Sequence, residues 1–173
     1  MRKAKYDLDE EMLRPYFEKN NVRDGAFAVA NKLWGIQFVE RIDIPKYHPD
    51  VEVFEVKNPD GSFLGILYMD WFPRESKVSG AWMDAFRKQS EGIDPIITTN
   101  FNYTAPIGDM PALLSVDEVL TAFHEFGHAL HGLLSKCKYH QLSGTAVARD
   151  FVELPSQIME NWALEPEVMK MYA

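Results

Sequence analysis

Between Ser115 and Lys136 the segment SVDEVLTAFHEFGHALHGLLSK leaves the chain few options besides a helix. Ser115 and Glu118 stand at capping-box spacing, so hydroxyl and carboxylate can satisfy free N–H groups at a helix start. Val119, Phe123, Phe126, Leu130, Leu133 and Leu134 follow at intervals of three and four. At about 100° per residue they form one apolar stripe, which needs a core to cover it. His124, His128 and His131 fall together on roughly the opposite side, a face that looks into solvent or into a cleft. The rest of the chain can supply that core. Of 173 residues, 46% are hydrophobic and 13% aromatic, which excludes disorder and suffices for one compact unit.

Within the polar face, His124-Glu125-Phe126-Gly127-His128 is an HExxH motif. Side chains four residues apart lie one above the other, so two imidazoles can hold one metal ion from a single rigid element. Neutral imidazole suits zinc, at about 2.0–2.1 Å per Zn–N bond. Glu125 sits one residue round the helix, beside such an ion rather than on it, where a carboxylate can take a proton from water. The plain alternative is a chance match of surface histidines, and a third ligand decides between the two. His131 is excluded, because seven residues at about 1.5 Å each put it about 10 Å along the axis from His124. The metzincin spacing fails as well, since the positions it requires hold His131 and Leu134. A carboxylate from a second helix would complete a His₂Glu set, and RDFVELPSQIMENW offers Glu153, 25 residues after His128. Without the histidines upstream, Glu153 reads as a solvated helical glutamate. Asp150, Ser156 and Glu160 stand near it and could orient ligands, with helix capping and surface solvation as their ordinary roles. Gly127 costs about 1 kcal/mol in a helix interior, which predicts a packing reason, namely close approach of a strand over 96–104.

The remaining sequence predicts an α+β chain. Residues 1–35 read as helical, from Leu8 through Phe17 and again from Ala26, with Pro15 as a kink and Asp24-Gly25 as punctuation. Residues 36–104 read as a small sheet. Val51–Asp70 forms a hairpin about the turn Asn58-Pro59-Asp60-Gly61, and Ser79–Ser90 is a short helix within the sheet region. The HExxH helix over 115–136 and a third-ligand helix over 150–165 complete the list. Met12, Met69, Met83, Met110, Met159 and Met169 read as core filling.

Eighteen Lys+Arg against 26 Asp+Glu leave a formal charge of −8 with no basic run, which argues against nucleic acid as a partner. The longest apolar run, Ala26–Ala30, is far too short for a membrane span. The opening MRKAKYDLDEEM has no secretory pattern. The single cysteine, Cys137, precludes an intramolecular disulfide and fits a reducing compartment. The expected location is the cytoplasm.

HEFGHALHGLLS followed by SGTAVARDFVELPSQIMENW resembles the thimet oligopeptidase family of zinc metallopeptidases, which includes neurolysin, oligopeptidase A and bacterial peptidyl-dipeptidase. KYDLDEEMLRPYF, MDWFPRESKVSGAWM, NFNYTAP and PALLSVDEV resemble the same family in the same order, so the likeness covers nearly the whole chain. GAWM and SGT with RDFVELPSQ resemble the peptidyl-dipeptidase branch. The resemblance implies a piece of a mainly α-helical, zincin-type, two-lobed enzyme. It implies one zinc ion held by His124, His128 and Glu153, with Glu125 as the general base in hydrolysis of short peptides. The family's substrate-binding segment rich in histidine and tyrosine would follow Ala173. Residues 1–173 are therefore expected to be the zinc-binding core of a larger peptidase, with short peptides and the enzyme's remaining lobes as partners, and poorly active alone. Two other readings stay open. One is a zinc-binding interaction module without turnover, which the open coordination position of such a site disfavours. The other is a hydrolase of non-peptide substrates.

Overall fold

The computed structural model describes residues 10–173. Two 3₁₀ turns, Glu10–Met12 and Arg14–Tyr16, lead into helix α1, Lys19–Trp34. Five strands follow, β1 Gln37–Glu40, β2 Glu52–Lys57, β3 Phe63–Asp70, β4 Trp82–Arg87 and β5 Ile96–Asn100. Helix α2, Val116–Leu133, a 3₁₀ turn at His140–Leu142, and helices α3, Leu154–Ala163, and α4, Pro166–Tyr172, complete the chain. It is a mixed α/β unit in which one sheet is covered on one face by helices. No helix among the described residues is long and apolar enough to cross a membrane.

The sheet order is β1-β2-β3-β5-β4, with β3 and β5 parallel and the other pairs antiparallel. The β2–β3 hairpin turns where the sequence places it. Registers put Phe38, Val56, Gly65 and Phe54, Leu67, Ile97, Ala85 in cross-strand rows, and these rows meet the helices. Phe27 of α1 stacks on Phe38 with ring centroids 4.0 Å apart, and Phe126 of α2 closes the same aromatic cluster. Val119, Phe123, Phe126, Leu130 and Leu133 are all buried, as the stripe requires, while Leu134, at the helix end, is only half-buried.

Three departures from the sequence reading have local causes. Residues 79–90 are not a helix. Trp82–Arg87 pairs with the open edge of β5, from Trp82 opposite Asn100 to Arg87 opposite Ile96. The Asn102 amide locks the bend before it, donating to the Val78 and Gly80 carbonyls at 2.9 and 2.7 Å. Before that bend, Lys77 Nζ donates to the Asp70 carboxylate and to the Phe72 carbonyl, each at 2.9 Å. Asp24-Gly25 does not break the first helix. Gly25 lies inside α1 because a Cβ there would meet the Tyr172 side chain at 2.7–2.9 Å, so glycine admits α4 rather than ending α1. Among the described residues before Lys19, Glu10–Met12 and Arg14–Tyr16 are 3₁₀ turns, with Pro15 inside the second; Leu8 lies outside the described residues.

Smaller differences follow the same logic. The strand expected over 96–104 stops at Asn100, although Phe101 and Tyr103 N–H groups still bond the carbonyls of Asp70 and Trp71. The helices expected over 115–136 and 150–165 run over 116–133 and 154–163. Met69 and Met159 are core residues, Met83 and Met169 pack at its margin, and Met12 and Met110 are exposed on turns.

Candidate metal centre

Helix α2 begins with the expected capping box. Ser115 Oγ accepts the Glu118 N–H at 3.2 Å, and the Glu118 carboxylate accepts the Ser115 N–H at 2.7 Å. From this anchored start, His124 and His128 stand one turn apart with their rings edge-on, centroids 4.9 Å apart. The polar face of α2 looks into a cleft, as one of the two expected alternatives. Helix α3 packs against it, and Glu125 and His128 are buried.

Gly127 makes that packing possible. A Cβ at this position would lie 2.6 Å from the Pro155 carbonyl oxygen and 2.6 Å from Ser156 Cα. Both are backbone atoms that cannot turn aside. The expected packing reason therefore exists, but its partner is α3, not β5. Gly127→Ala should force the helices apart and destabilise the chain by about 1–3 kcal/mol, the usual cost of overpacking. Urea unfolding measures this directly. An unchanged midpoint would show that α3 yields without cost.

With the helices this close, Glu153, which caps α3, reaches both histidines. Glu153 Oε2 lies 3.2 Å from His124 Nε2 and 3.1 Å from His128 Nε2. One donor atom from each of the three residues lies within 4.8 Å of the others. A tetrahedral zinc ion with 2.0–2.1 Å bonds separates its ligand atoms by about 3.3 Å, so the carboxylate-to-imidazole spacings suit one shared ion. Chemistry points the same way. Two imidazole nitrogens this close to one carboxylate oxygen need a proton or a cation between them, and two imidazoles with one carboxylate form the donor set of open zinc sites.

The surroundings tune each group. Glu153 is held below the usual carboxylate range, first by the Ser156 hydroxyl, which donates to Oε2 at 2.9 Å, then by His128 and His124. Burial pushes the imidazolium form of His128 down. Glu125 is pushed up by burial and by the charge of Glu153, against the pull of His124. Its Oε2 is buried without a hydrogen-bond partner among the described residues. Glu125 and the three converging residues line a cleft of about 310 Å³ whose other wall is the start of β4 at Ala81–Met83. As the sheet's edge strand, β4 has one side of its backbone unpaired by any neighbouring strand among the described residues.

The neighbours of Glu153 separate into two kinds. Asp150 is exposed. Ser156 bonds Glu153, and Glu160 Oε1 lies 2.5 Å from His124 Nδ1, so both do more than cap or solvate. The signal was present in their spacing, since 153, 156 and 160 recur on one helical face. His131 does not share the cleft. It lines a separate apolar groove of about 440 Å³ beside Trp34, Leu134, Leu154 and Ile158.

A family model described as Peptidase family M3 matches residues 1–173. Dipeptidyl carboxypeptidase of Escherichia coli (strain K12) is 52% identical over 176 residues, covering 100% of this chain and 26% of the relative. Oligopeptidase A of the same strain is 42% identical over 170 residues, covering 95% of this chain and 25% of the relative. Organellar oligopeptidase A of Arabidopsis thaliana is 39% identical over 185 residues, with 100% and 23% covered. The chain spans about a quarter of the length of these relatives.

Proposed function

The chain belongs to peptidase family M3, and on that premise we propose that it is the zinc-binding core of a zincin-type metallopeptidase that hydrolyses short peptides. The relatives' names, dipeptidyl carboxypeptidase and oligopeptidase A, support peptide hydrolysis. The observation that carries the reading is the convergence of His124, His128 and Glu153 beside a buried, unpartnered Glu125 carboxylate oxygen.

In this reading His124, His128 and Glu153 hold one zinc ion per chain. Zinc supplies Lewis acidity, polarising the scissile carbonyl and lowering the pKa of water towards about 7. Glu125 is the general base. It takes the proton of the attacking water and passes it to the leaving amine. Burial suits it to both transfers, because a carboxylate with raised proton affinity can hold the proton between them. Ser156 steadies the Glu153 carboxylate. The free edge of β4 offers main-chain donors and acceptors to an extended peptide, which would then lie in the cleft that Glu125 lines. The remaining lobes of a longer enzyme would close that cleft.

Metal analysis tests the ligand set. After incubation with zinc and removal of the excess, the chain should retain one ion, and His128→Ala and Glu153→Ala should retain little or none. Undiminished zinc in either variant would overturn the assignment of that residue.

A further inference from the structure

The two histidines of the cluster are held differently. His128 Nδ1 is buried and has no hydrogen-bond partner among the described residues. His124 Nδ1 faces the Glu160 carboxylate at 2.5 Å. Glu160 lies seven residues beyond Glu153, two turns along α3, and therefore on the same face. Helix α3 thus delivers two carboxylates to opposite edges of a single imidazole ring, Glu153 at Nε2 and Glu160 at Nδ1. Only Glu153 also reaches His128.

We infer that Glu160 is a positioning residue that holds His124 in the tautomer with its proton on Nδ1. A carboxylate has only acceptors to offer, so the ring must donate from Nδ1, which leaves Nε2 as the atom to bind a cation shared with Glu153 and His128. The ring's direction is set by the same bond, because rotation about the side chain would carry Nδ1 off Glu160. The negative charge also makes the imidazole a stronger donor. His128 is oriented by its burial on α2 and by Glu153 at Nε2, with no hydrogen-bond partner at Nδ1 among the described residues. His124, a quarter exposed at the side chain, lacks that confinement, and Glu160 replaces it. Gly127 is the condition for this arrangement, since it lets α3 lie close enough for Glu160 to reach α2.

The inference rests on the zinc reading above, and two measurements on the whole chain separate it from that reading. The first needs no metal. In isotope-labelled, metal-free chain, nitrogen shifts should report a proton on His124 Nδ1, the atom that faces Glu160. Glu160→Gln should keep it, because the amide oxygen accepts the same bond, and Glu160→Ala should lose it. The second is zinc affinity by competition with a chromophoric chelator. Glu160→Ala should weaken zinc by about 10–100-fold, the usual cost of removing a carboxylate behind a metal-bound histidine, and Glu160→Gln should weaken it less. Circular dichroism should show both metal-free variants folded, so that a lost proton or weakened zinc affinity is not a loss of fold. An unchanged tautomer in Glu160→Ala, or a zinc affinity within about twofold of the unsubstituted chain, overturns the inference. Failure of the zinc reading shows elsewhere: the unsubstituted chain takes up no zinc, and Glu160 then positions no metal ligand.

Discussion

Glu125→Gln is expected to leave zinc binding intact and to lower peptide turnover by about 10²–10⁴-fold, the range that a general base contributes. The substitution conserves shape and removes only the capacity to take a proton. Glu125 stands outside the set of three donors that converge within 4.8 Å, so metal content should not change. His124→Ala should lose metal and activity together. The clearest assay uses a hybrid in which this chain replaces the matching quarter of the E. coli dipeptidyl carboxypeptidase, with which it shares 52% of its residues. Turnover of a quenched short peptide and zinc per chain are measured on the same sample. Near-normal turnover in the Glu125→Gln hybrid would remove Glu125 from the chemistry, and loss of zinc in it would make Glu125 a ligand.

By itself the chain is expected to bind zinc and to cleave the same peptide at least about 10²–10³-fold more slowly than the hybrid, the loss that follows from one missing oxyanion donor. Besides the converging residues and Glu125, the cleft is lined by Ala81, Trp82, Met83, Thr145 and Val152, none of them cationic. Charge developing on a carbonyl oxygen would meet no preorganised positive group from these walls. The cleft is also wet, since half of the Glu153 side chain is exposed, and water weakens each electrostatic interaction in it. Equal rates at equal zinc occupancy would show that residues 1–173 hold everything that catalysis needs.

Among these groups, those joined by short sequence separations were the readable ones. The capping box at Ser115 and Glu118, the pairing of His124 with His128, and the turn at Asn58–Gly61 depend on residues within five positions of one another. Helical and turn geometry settle such relations before any tertiary contact forms. The apolar stripe of α2 belongs to the same class. Glu153 was reachable by donor chemistry and by resemblance to a peptidase family, but no spacing rule fixes a ligand on a separate helix.

What lay beyond the sequence was decided across the fold. Trp82–Arg87 has a local pattern that suits either a short helix or a strand, and the unsatisfied edge of β5 chose the strand. Gly25 and Gly127 both read locally as helix weaknesses. Their use appears only when Tyr172 and the Pro155–Ser156 backbone arrive against them. The spacing puts Ser156 and Glu160 on the face of Glu153, and the docking of α3 decides what they meet, Glu153 for Ser156 and His124 for Glu160. The chain's local periodicities therefore determined which side chains α2 would present, and the approach of α3 determined what those side chains would meet. Hydrogen bonds and metal-ligand distances are sensitive to tenths of an ångström, and that precision comes from packed backbones rather than from residue spacing.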